Sequence, residues 1–157
     1  MSKALSHVKA DGSLTMVDVG AKAATERSAR AVAQVRMNDE AARALREATL
    51  AKGDAFAAAQ IAGILAAKRT DELIPLAHPL AIAAVDVTFA WDDARTLRIE
   101  TRASTVGPTG VEMEAMVAAT LAALTIYDMC KALDKGITIE GVRLLEKTGG
   151  KSGTWRA

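Results

Sequence analysis

Asp128 and Lys131 form the most suggestive pair of ionisable residues in this sequence. They lie three positions apart in the segment YDMCK, where the side chains of a helix are neighbours. One interpretation is a surface ion pair that contributes about 0.2–0.5 kcal/mol. The other is a proton-transferring lysine, whose pKa burial lowers and a carboxylate raises. Spacing alone favours the ion pair, since structural pairs outnumber catalytic ones.

Two further carboxylates, Glu112 and Glu114, lie at the opposite end of the same segment. If this segment is helical throughout, Glu114 and Asp128 fall within about 40° on one face but about 21 Å apart along the axis. One small substrate cannot contact both of them in a single copy. Either Glu112 and Glu114 precede the helix on an extended segment, or two copies of the chain meet and share a site.

His78 lies between two prolines in the segment LIPLAHPL, residues 73–80. The prolines preclude a regular helix, so His78 is predicted on a rigid, apolar, non-helical segment. It is equally suited to closing a buried turn and to serving a site. The basic residues Lys52, Lys68 and Arg69 flank the preceding helix, where they either compensate helix ends or receive phosphates.

The C-terminal stretch KTGGKSG, residues 147–153, resembles a P-loop only superficially. The first glycine of that motif would fall at Leu145, and too few residues follow to build its helix. The stretch is therefore either a flexible tail or a cradle whose glycine backbone N–H groups approach an anion.

Composition indicates one domain, residues 1–157, and excludes several classes of partner. Half of the residues are hydrophobic, and 20 Lys and Arg balance 19 Asp and Glu. Without a charge excess, and with 3% aromatic residues, the chain is not expected to bind nucleic acid. The longest uncharged run of the central segment, Ala115–Tyr127, is shorter than the roughly 20 residues of a membrane span.

Cysteine is too scarce for an internal disulfide or a cysteine-rich metal site, and two histidines do not suffice for a multi-histidine metal centre unless chains share one. Cys130 is the only cysteine, which suits a reducing cytoplasm and a small buried hydrophobe. Of the two histidines, His7 belongs to the polar N-terminal segment and is predicted to be uninvolved. No secretory signal is indicated, and residues 1 to about 24 are predicted to be a mobile arm, which can either remain free or order over a ligand.

The hydrophobic period predicts the elements that must position these residues. Alternation predicts four strands, and caps and apolar faces predict three helices. The strands are expected at residues 28–37, 82–90, 97–103 and 137–146, and the helices at 39–50, 55–68 and about 109–134. Merging the first two helices gives the order βαββαβ, which predicts an α+β, ferredoxin-like, antiparallel four-stranded sheet with helices on one face.

Six motifs, quoted in chain order, make the sequence similar to one family. They are MVDV (16–19), KGD (52–54), IAGILAAKRTDELIPLAHPL (61–80), TGVEMEAM (109–116), LTIYDMCKALD (124–134) and KTGGKSG (147–153). Together they span nearly the whole chain and resemble MoaC, the cyclic pyranopterin monophosphate synthase family of molybdenum cofactor biosynthesis.

The resemblance implies a cytoplasmic hexamer, a trimer of dimers, with active sites between two chains. Its members convert a cyclised dihydroguanosine triphosphate into cyclic pyranopterin monophosphate and release diphosphate. Carried over by motif, Asp128 and Lys131 are catalytic. The implied substrate-binding residues are Lys52, Leu76, Ala77, His78, Glu112, Met113 and Glu114, with Arg27, Lys147 and Lys151 as phosphate contacts. No protein-bound cofactor or metal is expected, although magnesium can accompany the triphosphate.

Two positions depart from the family pattern. Ala77 stands where the family usually has a cysteine before the histidine, so a thiol role there is excluded. Pro108 stands in place of the basic residue of GRTG or GKTG. An alternative from another class is a noncatalytic oligomeric module that binds a nucleotide.

Overall fold

The computed structural model describes residues 6–157 and contains a single antiparallel sheet of five strands with helices. The predicted arm begins in the first five residues, which lie outside the described part. The strands are β1 (Thr25–Arg36), β2 (Ile82–Trp91), β3 (Thr96–Gly107), β4 (Thr138–Thr148) and β5 (Trp155–Arg156). Their order across the sheet is β2-β3-β1-β4-β5. The predicted alternation is confirmed, since one face of β1 and β3 is buried.

The sheet has five strands and not the four that were predicted. Trp155 and Arg156 fold back to pair with Lys147 and Glu146 at the edge of β4. Two residues are too few to show a hydrophobic period, so the sequence pattern could not indicate this strand.

The helices are α1 (Asp39–Arg46), α2 (Ala55–Lys68), α3 (Thr70–Leu73) and α4 (Glu112–Cys130). Asn38 and Asp54 cap α1 and α2 as predicted, each accepting a hydrogen bond from the backbone N–H three residues on. Helix α1 is shorter than predicted, because Ala48 adopts a left-handed conformation with φ 54°. The short helix α3 was not predicted.

Helix α4 is the centre of the core, as its apolar character on all sides predicts. Ala115, Ala119 and Ile126 are fully buried. Helix α2 packs closely beside it: a Cβ atom added to Gly63 would lie 3.0 Å from the Ala118 carbonyl oxygen. By length and composition α4 could also cross a membrane, but half of its apolar window is buried inside the domain.

The bounds of α4 decide one question left open by the sequence. Glu112 and Glu114 lie in its first helical turn and not on an extended segment before it. Asp128 lies near its other end, so the rise of the helix separates Glu114 and Asp128 by about 21 Å. Within one chain, the candidate site residues therefore form two groups.

Candidate functional site

The first group of candidate residues lines two adjoining cavities at the N-terminal end of α4. Their volumes are about 380 and 580 Å³, and both are bordered by Lys22, Thr109, Gly110 and Glu112. The loop from β3 to α4 supplies Thr109 and Gly110, and α4 begins with Glu112, so the two cavities meet at this junction and a single molecule could extend from one into the other. A larger groove of about 640 Å³, beside α2 and β2, is lined by none of the candidate residues.

The smaller cavity, which we call the histidine cavity, gathers most of the predicted substrate-binding residues other than the phosphate contacts. Its walls include Leu76, Ala77, His78, Met113 and Glu114. The imidazole of His78 is fixed by a hydrogen bond of 2.6 Å from Nε2 to the Val17 carbonyl oxygen. The Ala77 N–H donates to the Ile74 carbonyl oxygen at 3.0 Å, so this N–H is already engaged within the chain.

Glu114 carries an unusual charge state in the histidine cavity. Glu114 is almost completely buried, with 4% of its surface exposed to solvent. Burial raises the pKa of Glu114 to about 7, and the charges of Glu112 and Asp71 act in the same direction. Near neutral pH, the Glu114 carboxyl is therefore present in both protonation states, and it can donate or accept a hydrogen bond.

The raised pKa of Glu114 predicts a pH-dependent stability. Between the ordinary value of 4.5 and about 7, the folded chain holds a proton that the unfolded chain has released. Folding stability therefore decreases as the pH rises through this range. Relative to the Glu114→Gln variant, we expect the wild-type free energy of unfolding to fall by up to about 3 kcal/mol between pH 4.5 and 8. Urea unfolding at one protein concentration measures this difference, and parallel pH profiles would contradict it.

The larger cavity, which we call the lysine cavity, collects the predicted phosphate contacts. Arg27, Lys147 and Lys151 lie in its wall beside the glycine loop 149–150. The Arg27 guanidinium donates to the carbonyl oxygens of Gly107 and Pro108 at 3.0 and 3.2 Å. Lys147 Nζ lies 2.7 Å from Glu112 Oε1. Several cations and one carboxylate make this cavity suited to an anion such as a phosphate chain.

The glycine loop forms part of this wall only because its backbone is unusual. Gly149 has φ 93°, and a Cβ atom there would collide with the Glu26 carbonyl oxygen. Gly153 also has a positive φ, 64°, but a Cβ atom there would meet open space. The loop therefore approaches β1 more closely at Gly149 than a side chain permits.

Gly149→Ala and Gly153→Ala form a matched pair of variants. Both introduce a strained backbone, which costs about 1–2 kcal/mol. We expect Gly149→Ala to lower the free energy of unfolding by more than Gly153→Ala, and it alone should weaken binding in the lysine cavity, because only there must the loop move. Urea unfolding and binding of inorganic triphosphate measure both effects. Equal effects of the two variants would show that the close approach is unimportant.

The second group of candidate residues lies at the C-terminal end of α4, and we call it the lysine–aspartate cluster. Lys131 Nζ lies 2.7 Å from Asp128 Oδ1. Lys52 Nζ lies 3.1 Å from Asp128 Oδ2 and 2.7 Å from the Asp128 carbonyl oxygen. Antiparallel packing of α2 and α4 places Lys52 here, away from His78.

Two hydrogen-bonded lysines determine the charges of this cluster. Hydrogen bonds from Lys131 and Lys52 hold the pKa of Asp128 below its ordinary value. The Asp128 carboxylate raises the pKa of Lys131. The three side chains are between 43% and 53% exposed, so burial within one chain does not pull the pKa of Lys131 down as the proton-transfer interpretation requires. In this chain alone, Lys131 is held in its protonated form.

Two residues that line the cavities were missed by sequence reasoning. His7 lines the histidine cavity and Lys22 borders both cavities, whereas sequence reasoning predicted that His7 is uninvolved and did not single out Lys22. Their only sequence signal was their nearness to the MVDV motif.

Cys130 is fully buried, and burial raises its thiol pKa to about 11, as expected of an inert residue. Within residues 6–157, no three His, Cys, Asp or Glu side chains are grouped to hold a metal ion.

Fold and site together define an α+β protein with a divided polar site, one part cationic and another carrying Glu114, whose pKa burial raises to about 7. Residues 16–150 match the MoaC family. The chain belongs to the MoaC family, and the resemblance seen in its motifs is thereby confirmed.

Relatives from three bacteria are similar to almost the whole chain, and each is named cyclic pyranopterin monophosphate synthase. The protein of Novosphingobium aromaticivorans is 54% identical over 153 residues, covering 98% of this chain and 97% of the relative. That of Listeria monocytogenes is 52% identical, covering 98% and 96%. That of Heliobacterium modesticaldum is 52% identical over 150 residues, covering 95% and 94%.

Proposed function

We propose that this chain catalyses the reaction for which its relatives are named and forms cyclic pyranopterin monophosphate in molybdenum cofactor biosynthesis. Its substrate is the cyclised dihydroguanosine triphosphate, and diphosphate is released. The observation that carries the proposal is the pair of adjoining cavities, one suited to a phosphate chain and the other to a polar ring system. A purine-derived triphosphate consists of the same two parts, a phosphate chain and a polar ring system. Relatives at 52–54% identity support the same reaction.

The two cavities divide the binding of the substrate. Arg27, Lys147 and Lys151 hold the phosphates, with magnesium as an optional companion of the triphosphate. Leu76, Ala77, His78, Met113 and Glu114 surround the ring system, and Glu112 lies where the cavities meet. When a substrate hydroxyl oxygen attacks the α-phosphorus, its proton leaves and the bond to diphosphate breaks. The cations stabilise the charge that develops on the departing diphosphate.

Proton transfer is assigned to the lysine–aspartate cluster. Opening the purine imidazole ring and closing the new ring both require protons to move. Lys131 donates and accepts these protons, and Asp128 positions the lysine and adjusts its pKa. Lys52 shares the Asp128 carboxylate and so stands beside the reacting groups. Burial by a second chain would lower the pKa of Lys131 towards the working pH, which the single chain does not do.

Two copies of the chain are needed to complete this site. The cavities and the lysine–aspartate cluster lie at opposite ends of α4, about 21 Å apart. A two-fold pair of subunits brings one end of each helix towards the other end of its partner. We further propose that three such pairs assemble into a cytoplasmic hexamer, a trimer of dimers. In each chain, strands β1 to β4 would belong to a ferredoxin-like core.

Direct turnover tests the proposed function. The purified chain is incubated with the cyclised dihydroguanosine triphosphate, and diphosphate and the oxidised, fluorescent pterin are followed. Equal amounts of both products are expected. Substrate binding without either product would favour the noncatalytic nucleotide-binding module, or a site disabled by Ala77 in place of the usual cysteine.

A further inference from the structure

The N-terminal segment 6–22 forms a wall of the histidine cavity, and His7 anchors it. Val8 and Leu14 form an antiparallel bridge. The Thr15 N–H donates to the His7 carbonyl oxygen at 3.0 Å, and the Lys9 N–H donates to the Ser13 carbonyl oxygen at 2.9 Å. These bonds hold the backbone of His7 at the cavity, where its side chain is part of the lining.

One nitrogen of the His7 ring forms a hydrogen bond within this segment. Nδ1 lies 3.2 Å from the Thr15 carbonyl oxygen. A carbonyl oxygen only accepts hydrogen bonds, so Nδ1 must carry the hydrogen. In the neutral ring, Nε2 then keeps a lone pair that can accept an N–H from a ligand.

His78 repeats this arrangement in the lining of the same cavity. Its Nε2 is committed to the Val17 carbonyl oxygen, two residues beyond the one that His7 uses. In each imidazole, one nitrogen is hydrogen-bonded to the N-terminal segment, and the other has no hydrogen-bond partner within residues 6–157. The lining of the cavity also includes Glu114, whose carboxyl exchanges a proton near neutral pH.

We propose that His7 is a further substrate-binding residue, which contacts the ring system of the substrate through Nε2. The inference rests on the proposed function. It assigns the N-terminal segment to the binding site itself, and it adds a second histidine, beside His78, to the groups that contact the purine-derived rings.

Substitutions by asparagine and by glutamine test the two ring nitrogens of His7 one at a time. The amide of asparagine reaches the position of Nδ1, so His7→Asn keeps the bond to Thr15 and loses Nε2. The longer glutamine reaches the position of Nε2, so His7→Gln loses the bond to Thr15 and keeps a polar group towards the ligand. Steady-state kinetics and amide hydrogen exchange of residues 9–15 are measured for both variants.

We expect His7→Asn to raise KM about ten-fold, with kcat within two-fold and exchange of the segment unchanged. His7→Gln should keep KM closer to wild type while exchange accelerates. An unchanged KM in His7→Asn would overturn the inference, as would a raised KM that appears only with faster exchange. An inactive wild-type chain would instead refute the proposed function, so the two failures are distinguishable.

Discussion

Lys131→Ala is expected to lower turnover of the cyclised triphosphate by about a hundred- to ten-thousand-fold, the range for loss of a general acid or base. The reason is local: Lys131 Nζ lies 2.7 Å from Asp128 Oδ1, and the carboxylate keeps the lysine charged and positioned. Substrate binding should change much less, because the two cavities lie at the other end of α4. Diphosphate release measures the rate, and equilibrium binding of the substrate measures affinity.

Lys135→Ala is the matched control for this variant. Lys135 is an exposed lysine four positions further along the chain, and its side chain forms no ion pair within residues 6–157. Its backbone carbonyl, which accepts from the Tyr127 hydroxyl at 3.5 Å, survives the substitution. Turnover of Lys135→Ala should stay within two-fold of wild type. Normal turnover in Lys131→Ala would remove Lys131 from the chemistry.

Two inactive variants are expected to restore activity when they share one pair of subunits. Lys131→Ala damages the lysine–aspartate cluster, and Lys147→Met damages the lysine cavity. If each site takes one part from each chain, a mixed pair has one intact site and one site damaged twice. Random mixing makes about half of the pairs mixed, so activity should recover to about a quarter of the wild-type value. Refolding the two chains together and assaying diphosphate release measures the recovery.

A second mixture calibrates this experiment. Wild-type chains mixed with Lys131→Ala chains should show about half of the wild-type activity whether or not sites are shared. Native mass spectrometry confirms that mixed pairs have formed. If they are present and the two damaged variants remain inactive together, each site is built from a single chain and the shared-site proposal is wrong.

Local physics made much of the fold predictable from sequence. The run Ala115–Tyr127 has no charge and is apolar on every side, which identified a buried helix without knowledge of its partners. Asn38 and Asp54 cap their helices through bonds that span three residues. The hairpin of β2 and β3 follows from alternation on both sides of a short turn. Each of these features is decided within a few residues of chain.

The candidate site was predictable only in part. Motifs named its residues, and the end-to-end separation of α4 showed that one chain would divide them. The partner of Lys52 could not be read from the sequence, because Lys52 and Asp128 are 76 positions apart and meet only when α2 packs antiparallel to α4. The place of His7 likewise depends on the fold of the N-terminal segment over a distant loop.

By itself, the sequence determined three of the helices, four of the strands, the family and the list of candidate site residues, because these depend on local periodicity and on ordered motifs. Tertiary structure alone decided the proton affinity of Glu114, the grouping of Lys52 with Asp128 and the short strand β5. Burial, electrostatics and edge pairing depend on which distant residues surround a group, and no period along the chain records that.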